Sequence, residues 1–100
     1  MTKKLKTFKQ PVKVEQMRSR NLNPVPNQFR IWTDKGYYFQ SYSSIIYFYC
    51  SKTNKKYLDS KTWDYSATTG KYRNQILREG IAETRKKIKS GEYILANLNG

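Results

Sequence analysis

Hydrophobic and polar positions alternate through the middle of the chain. Phe29, Ile31 and Thr33 alternate with Gln28, Arg30 and Trp32, which is the period of a strand. Asp34-Lys35-Gly36 supplies a turn, with Gly36 free to take positive φ. The strand pattern resumes from Tyr37 to Tyr42, so the two segments predict a hairpin. Ser43-Ser44 interrupts, and Ile45-Ile46-Tyr47-Phe48-Tyr49-Cys50 follows as a third strand. Apolar residues on both of its faces predict a central place in a sheet, covered on each side or carrying a binding face. Ser51 to Lys56 reads as a loop before a short strand at Tyr57 to Asp59.

The period then lengthens. Ser66, Thr68 and Thr69 are each good helix N-caps, and Tyr72, Ile76 and Leu77 recur at helical spacing up to Gly80. Ala82 to Lys89 predicts a second short helix, with Glu83 and Lys87 at a favourable i,i+4 separation, stopped by Ser90-Gly91. Glu92 to Leu98 reads as a final strand or an extended tail. The expected fold class is α+β: a small antiparallel sheet of three or four strands with one or two helices packed on one face, preceded by a basic arm.

Charge and pattern place the boundary of that arm near residue 27. Residues 1–27 hold seven basic side chains (Lys3, Lys4, Lys6, Lys9, Lys13, Arg18, Arg20) and one acid, Glu15, for a net +6. They also hold all three prolines, and Pro24 and Pro26 force extended backbone on the residues before them. The expectation is a flexible arm over 1–27, with at most a short strand at Pro11 to Val14, and a single domain over 28–100.

Leu, Ile, Val and Phe total 20 of the 100 residues, near the level at which a highly charged chain stays disordered. Fifteen aromatic residues, nine of them Tyr, offset that deficit, since each ring buries a large area at small entropic cost. The chain has no His, one Cys and seven carboxylates. That composition removes zinc sites built from Cys and His, Cys-His and Ser-His nucleophile pairs, and a disulfide within the chain. No cofactor or metal site is expected. The basic start lacks an apolar stretch behind it, no run is long enough to span a membrane, and lone Cys50 fits a reducing compartment. A cytoplasmic protein of a bacterial host cell is the expectation.

The net charge of +13 is the strongest functional signal. Nucleic acid and anionic membrane are the usual partners of such a chain. A membrane surface calls for an amphipathic helix with a full apolar face, and each helix here has only about three apolar anchors, so nucleic acid or a nucleoprotein complex is favoured. Arg85, Lys86, Lys87 and Lys89 form the densest cluster, and Lys71 and Arg78, with Asn74 or Gln75, share the outer face of the preceding helix. Helices lying side by side would join them into one phosphate-binding stripe. The segment Lys35-Gly36-Tyr37-Tyr38-Phe39-Gln40-Ser41-Tyr42 is close to the RNP1 pattern of RNA-recognition domains. Tyr38 and Gln40 depart from that pattern, and the βαβ context it requires is missing. Tyr37 or Tyr42 could stack on bases, but Trp32 is the better candidate. It lies opposite Phe29 and Ile31 and shares its face with Arg30.

The run from Leu58 to Gln75 is dense in Trp, Tyr, Asp and Thr. Trp63, Tyr65 and Tyr72 are expected to pin a helix to the core, with Asp64, Ser66 and Thr69 satisfying free amides. Asp59 and Asp64 alone are thin grounds for a divalent ion. Phe39-Gln40-Ser41-Tyr42-x-Ser44-x-Ile46, Trp63-Asp64-Tyr65-Ser66-x-Thr68-Thr69-x-Lys71-Tyr72 and the Lys-rich end resemble a group of small, mostly uncharacterised proteins of phages and plasmids of Gram-positive bacteria. The resemblance runs from about Gly36 to Leu98. The group has Ala where Tyr47 stands and Phe where Ile76 stands, so those core contacts would be repacked. It implies a mobile-element context and carries no catalytic residues.

The favoured function is therefore a non-enzymatic accessory protein that binds nucleic acid through basic side chains and exposed aromatics. The competing readings are an anti-defence protein, such as an inhibitor of a CRISPR nuclease, and a metal-dependent nuclease using Asp59 and Asp64.

Overall fold

The structure, a computed structural model, describes residues 13–100. It contains strands β1 (Lys13–Arg18), β2 (Pro24–Thr33), β3 (Gly36–Ser41), β4 (Ser44–Cys50) and β5 (Lys56–Asp59), helices α1 (Ala67–Leu77) and α2 (Ile81–Ser90), and strand β6 (Tyr93–Ala96). All six strands join one sheet in sequence order. The first four pairings are antiparallel and β5–β6 is parallel. The expected antiparallel sheet of three or four strands is thus corrected to a mixed sheet of six. Two physical reasons account for the difference. The α1–α2 crossover returns the chain to the end of the sheet from which β5 began, which makes β6 parallel. At the opposite edge, β1 is written mostly in polar residues. Its two apolar residues lie three apart and point to opposite faces: Val14 pairs with Ile31, while Met17 enters the core.

Residue 27 is not a domain boundary, because β2 runs through it. Val25, from the segment expected to be arm, is a core residue with Met17. Pro24 and Pro26 sit in the outer end of β2, where extended backbone suits them. The rest of the expected arm, residues 1–12, lies outside the described residues.

One face of the sheet carries the core. Phe39, Tyr47, Leu58, Tyr72 and Tyr93 are buried there with Met17, Val25 and Ile46, and Tyr37, Tyr49, Trp63, Ile76, Leu77 and Ile88 pack around them. A bulge in β4 lets Phe39 pair with Tyr47 and Gln40 with Ile45, so the consecutive residues Ile46 and Tyr47 are both buried. Gly36 is required by a close approach: a Cβ there would stand 1.9 Å from the Tyr49 carbonyl oxygen. Ser66 caps α1 by accepting from the Thr69 N–H at 3.1 Å. The Thr69 hydroxyl bonds Ser41 across 2.8 Å and fastens α1 to β3. Helix α2 lies against β6. Among the described residues, no helix is long and apolar enough to cross a membrane.

Met17 is 1% exposed, so Met17→Ala should cost about 2–5 kcal/mol in urea unfolding. Deleting residues 1–27 should leave a chain that no longer unfolds cooperatively, as read by circular dichroism. A cooperative transition in the truncated protein would show that β1 is dispensable.

Candidate nucleic-acid interface

Carboxylates hold the helices to the sheet, and their positions decide which cations remain free. Glu79, between α1 and α2, accepts from the Lys87 ammonium at 2.7 Å, the Thr84 hydroxyl at 2.6 Å and the Tyr93 hydroxyl at 3.1 Å. Burial alone would push its carboxyl up. The bonds from Lys87, Thr84 and Tyr93 outweigh burial and hold it below the ordinary carboxylate range. Burial and the Glu79 bond together raise the Tyr93 phenol well above its usual value. Asp59 is 2% exposed and accepts from the Leu98, Thr62 and Lys61 amides and the Thr62 hydroxyl. Burial opposes the charge on Asp59, and these bonds overcome it and lower its pKa.

Asp64 pairs with Arg73 at 3.0 Å and with Arg85 at 3.8 Å. Arg73 is buried, donates to the Trp63 carbonyl at 2.7 Å, and lies over the Trp63 ring at 5.2 Å. Trp63 is half-buried against the core and Tyr72 is buried, so these two anchor α1, whereas Tyr65, expected to pin the helix with them, is 47% exposed and does not. Asp59 and Asp64 therefore serve separate structural partners. Among the described residues, no group of three or more Cys, Asp or Glu side chains is placed to hold a metal.

The expected basic residues separate into three groups. Arg30 and Trp32 share the helix-side face of β2, where Trp32 packs tilted against Tyr37 with ring centres 5.3 Å apart and carries the Lys13 ammonium 5.1 Å from its ring centre. Lys35 is exposed in the β2–β3 turn, and its carbonyl accepts from the Ser51 N–H at 3.0 Å. Lys71 lies on α1 along an open cleft of about 860 Å³, facing Arg20 and Asn21 of the β1–β2 loop. Arg78 closes α1 in a left-handed conformation, φ 57°, and is exposed. On α2, Lys86 and Lys89 are exposed and have no ion pair among the described residues, Arg85 reaches Asp64, and Lys87 is committed to Glu79. Helix α1 rests on β3 and α2 on β6, and Lys87 drops out of the stripe expected along them.

The aromatic residues of the other sheet face are not among these sequence candidates. Tyr38 and Phe48 stack at 4.5 Å with ring planes 23° apart, and Phe48 and Tyr57 at 5.9 Å with planes 18° apart. None of the three belongs to the core cluster, and all are partly exposed. The cue was available in the sequence as strand alternation, with Tyr38 and Phe48 one residue out of phase with Phe39 and Tyr47. It was masked because the neighbouring positions are aromatic too.

The Glu79 carboxyl sits lower in the folded chain than in the unfolded one, and so does Asp59. Their stabilisation is complete above about pH 4.3 and is lost as pH falls through the depressed folded values. Melting temperature should hold from pH 7 to about pH 5 and then fall on further acidification. Glu79→Gln should lower the melting temperature at pH 7 and flatten the acid limb. An unchanged acid limb in that variant would show that Glu79 does not contribute to it.

No curated protein and no solved structure matches this chain. A family model matches residues 12–94, a span that includes β1 and every later element up to the start of β6. The chain belongs to the family of unknown function DUF8033.

Proposed function

We propose that this protein is a non-catalytic nucleic-acid-binding module, an accessory protein of a phage or plasmid. One observation carries the reading: among the described residues, exposed cations without an ion pair far outnumber exposed acids without one. Of the seven carboxylates, Asp59 and Glu79 are taken up by internal hydrogen bonds, and Asp64 and Glu92 are ion-paired. Glu15, Asp34 and Glu83 remain without an ion pair among the described residues. Against them stand Arg20, Lys35, Lys52, Lys55, Lys61, Lys71, Arg78, Lys86 and Lys89, all exposed and without an ion pair there. Such a surface meets a polyanion with little competition from its own acids, and neutralising phosphates releases counterions. The mobile-element context is supported by the resemblance of the Phe39–Ile46 and Trp63–Tyr72 stretches to phage and plasmid proteins.

Affinity for nucleic acid should fall by roughly 10³ to 10⁵ between 50 and 200 mM salt if six to ten phosphates are neutralised. Gel shift or fluorescence anisotropy at those two salt concentrations measures this. Lys86→Glu with Lys89→Glu should change stability by less than about 1 kcal/mol while weakening binding to every sequence alike. A salt-independent affinity would contradict the electrostatic mechanism.

A further inference from the structure

Six residues in register form one rung across the entire sheet. Val14 pairs with Ile31, Ile31 with Tyr38, Tyr38 with Phe48, Phe48 with Tyr57, and Tyr57 with Ile94. Register partners of neighbouring strands share a face, so all six side chains lie on the face opposite the core. Every one is apolar or aromatic, and none belongs to the core cluster. Val14 is 59% exposed and Ile94 36%. Among the described residues both helices lie on the other face, where Thr69 of α1 meets Ser41 and Tyr93 meets Glu79 and Lys87. Between Val14 and Ile94, the residues Ile31, Tyr38, Phe48 and Tyr57 are partly exposed, and a row of apolar side chains left open on one sheet face is a candidate interaction site.

Its surroundings indicate the occupant. Two loops meet at one end of the sheet, where the Ser51 N–H and hydroxyl both donate to the Lys35 carbonyl. These loops carry Lys35, Lys52 and Lys55, all exposed, at the end of the sheet a few register positions beyond the Tyr38–Phe48–Tyr57 rung, and the only acid in the two loops is Asp34. The three rings stack on one another in a row, and the parts of them left open to solvent, with lysines in the loops at that end of the sheet, suit flat, unpaired bases on a phosphate chain. Stacking on aromatic side chains is tolerant of sequence because every base has a π-face. Bases in a duplex are already stacked and leave only groove edges and backbone accessible.

We infer that the Tyr38–Phe48–Tyr57 column is a base-stacking platform for single-stranded nucleic acid, with Lys35, Lys52 and Lys55 holding the phosphates beside it. This rests on the nucleic-acid reading above and adds the face and the strandedness of the ligand.

The test compares the full chain with a Tyr38→Leu/Tyr57→Leu variant, which keeps the face apolar and removes two rings. Anisotropy titrations use labelled oligothymidine and oligouridine of about 15 nucleotides and a DNA duplex of similar length. The variant should lose about tenfold or more in affinity for one or both single strands, while its duplex affinity stays within about twofold. The two oligomers also show whether DNA or RNA is preferred. If the unsubstituted protein binds neither single strand nor duplex, the nucleic-acid reading fails and this inference with it. If it binds and the variant binds the single strands equally well, only the stacking platform is overturned. It is overturned too if the substitutions leave oligomer affinity intact but convert a dimer to a monomer in sedimentation, which would make the face a self-association surface. Should the variant lose its thermal transition, photo-crosslinking the unsubstituted protein to 4-thiouridine oligomers decides. Adducts on Tyr38, Phe48 or Tyr57 support the platform, and adducts confined to Trp32 or the helices overturn it.

Discussion

A six-stranded sheet offers two faces, and this chain has helices enough for one. Strands spaced about 4.8 Å apart make a sheet roughly 24 Å across, and a helix with its side chains covers about 10 Å. The two short helices therefore suffice for a single layer, and both lie on the same side. Phe39, Tyr47, Leu58 and Tyr93 can be buried there because α1 and α2 close over them. The rung from Val14 to Ile94 has no such cover among the described residues. Coverage on one side governs the division between a hidden aromatic core and an accessible aromatic face.

Polar contacts at two points hold that single layer in place. The Ser41–Thr69 hydroxyl pair, 2.8 Å long and buried, joins α1 to β3. Glu79 gathers Thr84, Lys87 and Tyr93 where α1, α2 and β6 converge. Both use groups that would otherwise be costly to bury. The Glu79 cluster also withdraws Lys87 from solvent-facing duty. The consequence reaches the surface: with Asp59 and Glu79 engaged internally and Asp64 and Glu92 ion-paired, few acids remain to offset the exposed cations.

Much of this architecture is legible in the sequence, and its gaps have identifiable causes. The hairpin at Gly36, the central strand through Ile46 and Phe48, the Ser66 cap and the stop at Gly91 all follow from local pattern and turn chemistry. Strand β1 does not, because Val14 and Met17 serve opposite faces and the residues between them are polar, as suits an edge. The parallel placement of β6 depends on how the two helices cross over the sheet, which no local signal encodes. The accessible face was hidden for a different reason. In Tyr37-Tyr38 and Tyr47-Phe48-Tyr49 the inward and outward positions are both aromatic, so alternation carries no contrast between buried and exposed. Arg73 shows the converse, a basic residue that adds to the net charge but is buried on Trp63 and Asp64.

The central claim is that one sheet face is covered and the other is open, and solvent paramagnetic relaxation enhancement in the free full-length protein tests it directly. With a neutral paramagnetic cosolute, side-chain protons of Ile31, Tyr38, Phe48, Tyr57 and Ile94 should relax strongly, while those of Phe39, Ile46, Leu58 and Tyr93 stay protected. Equal protection of both sets would mean that the second face is covered in solution, and would contradict the account.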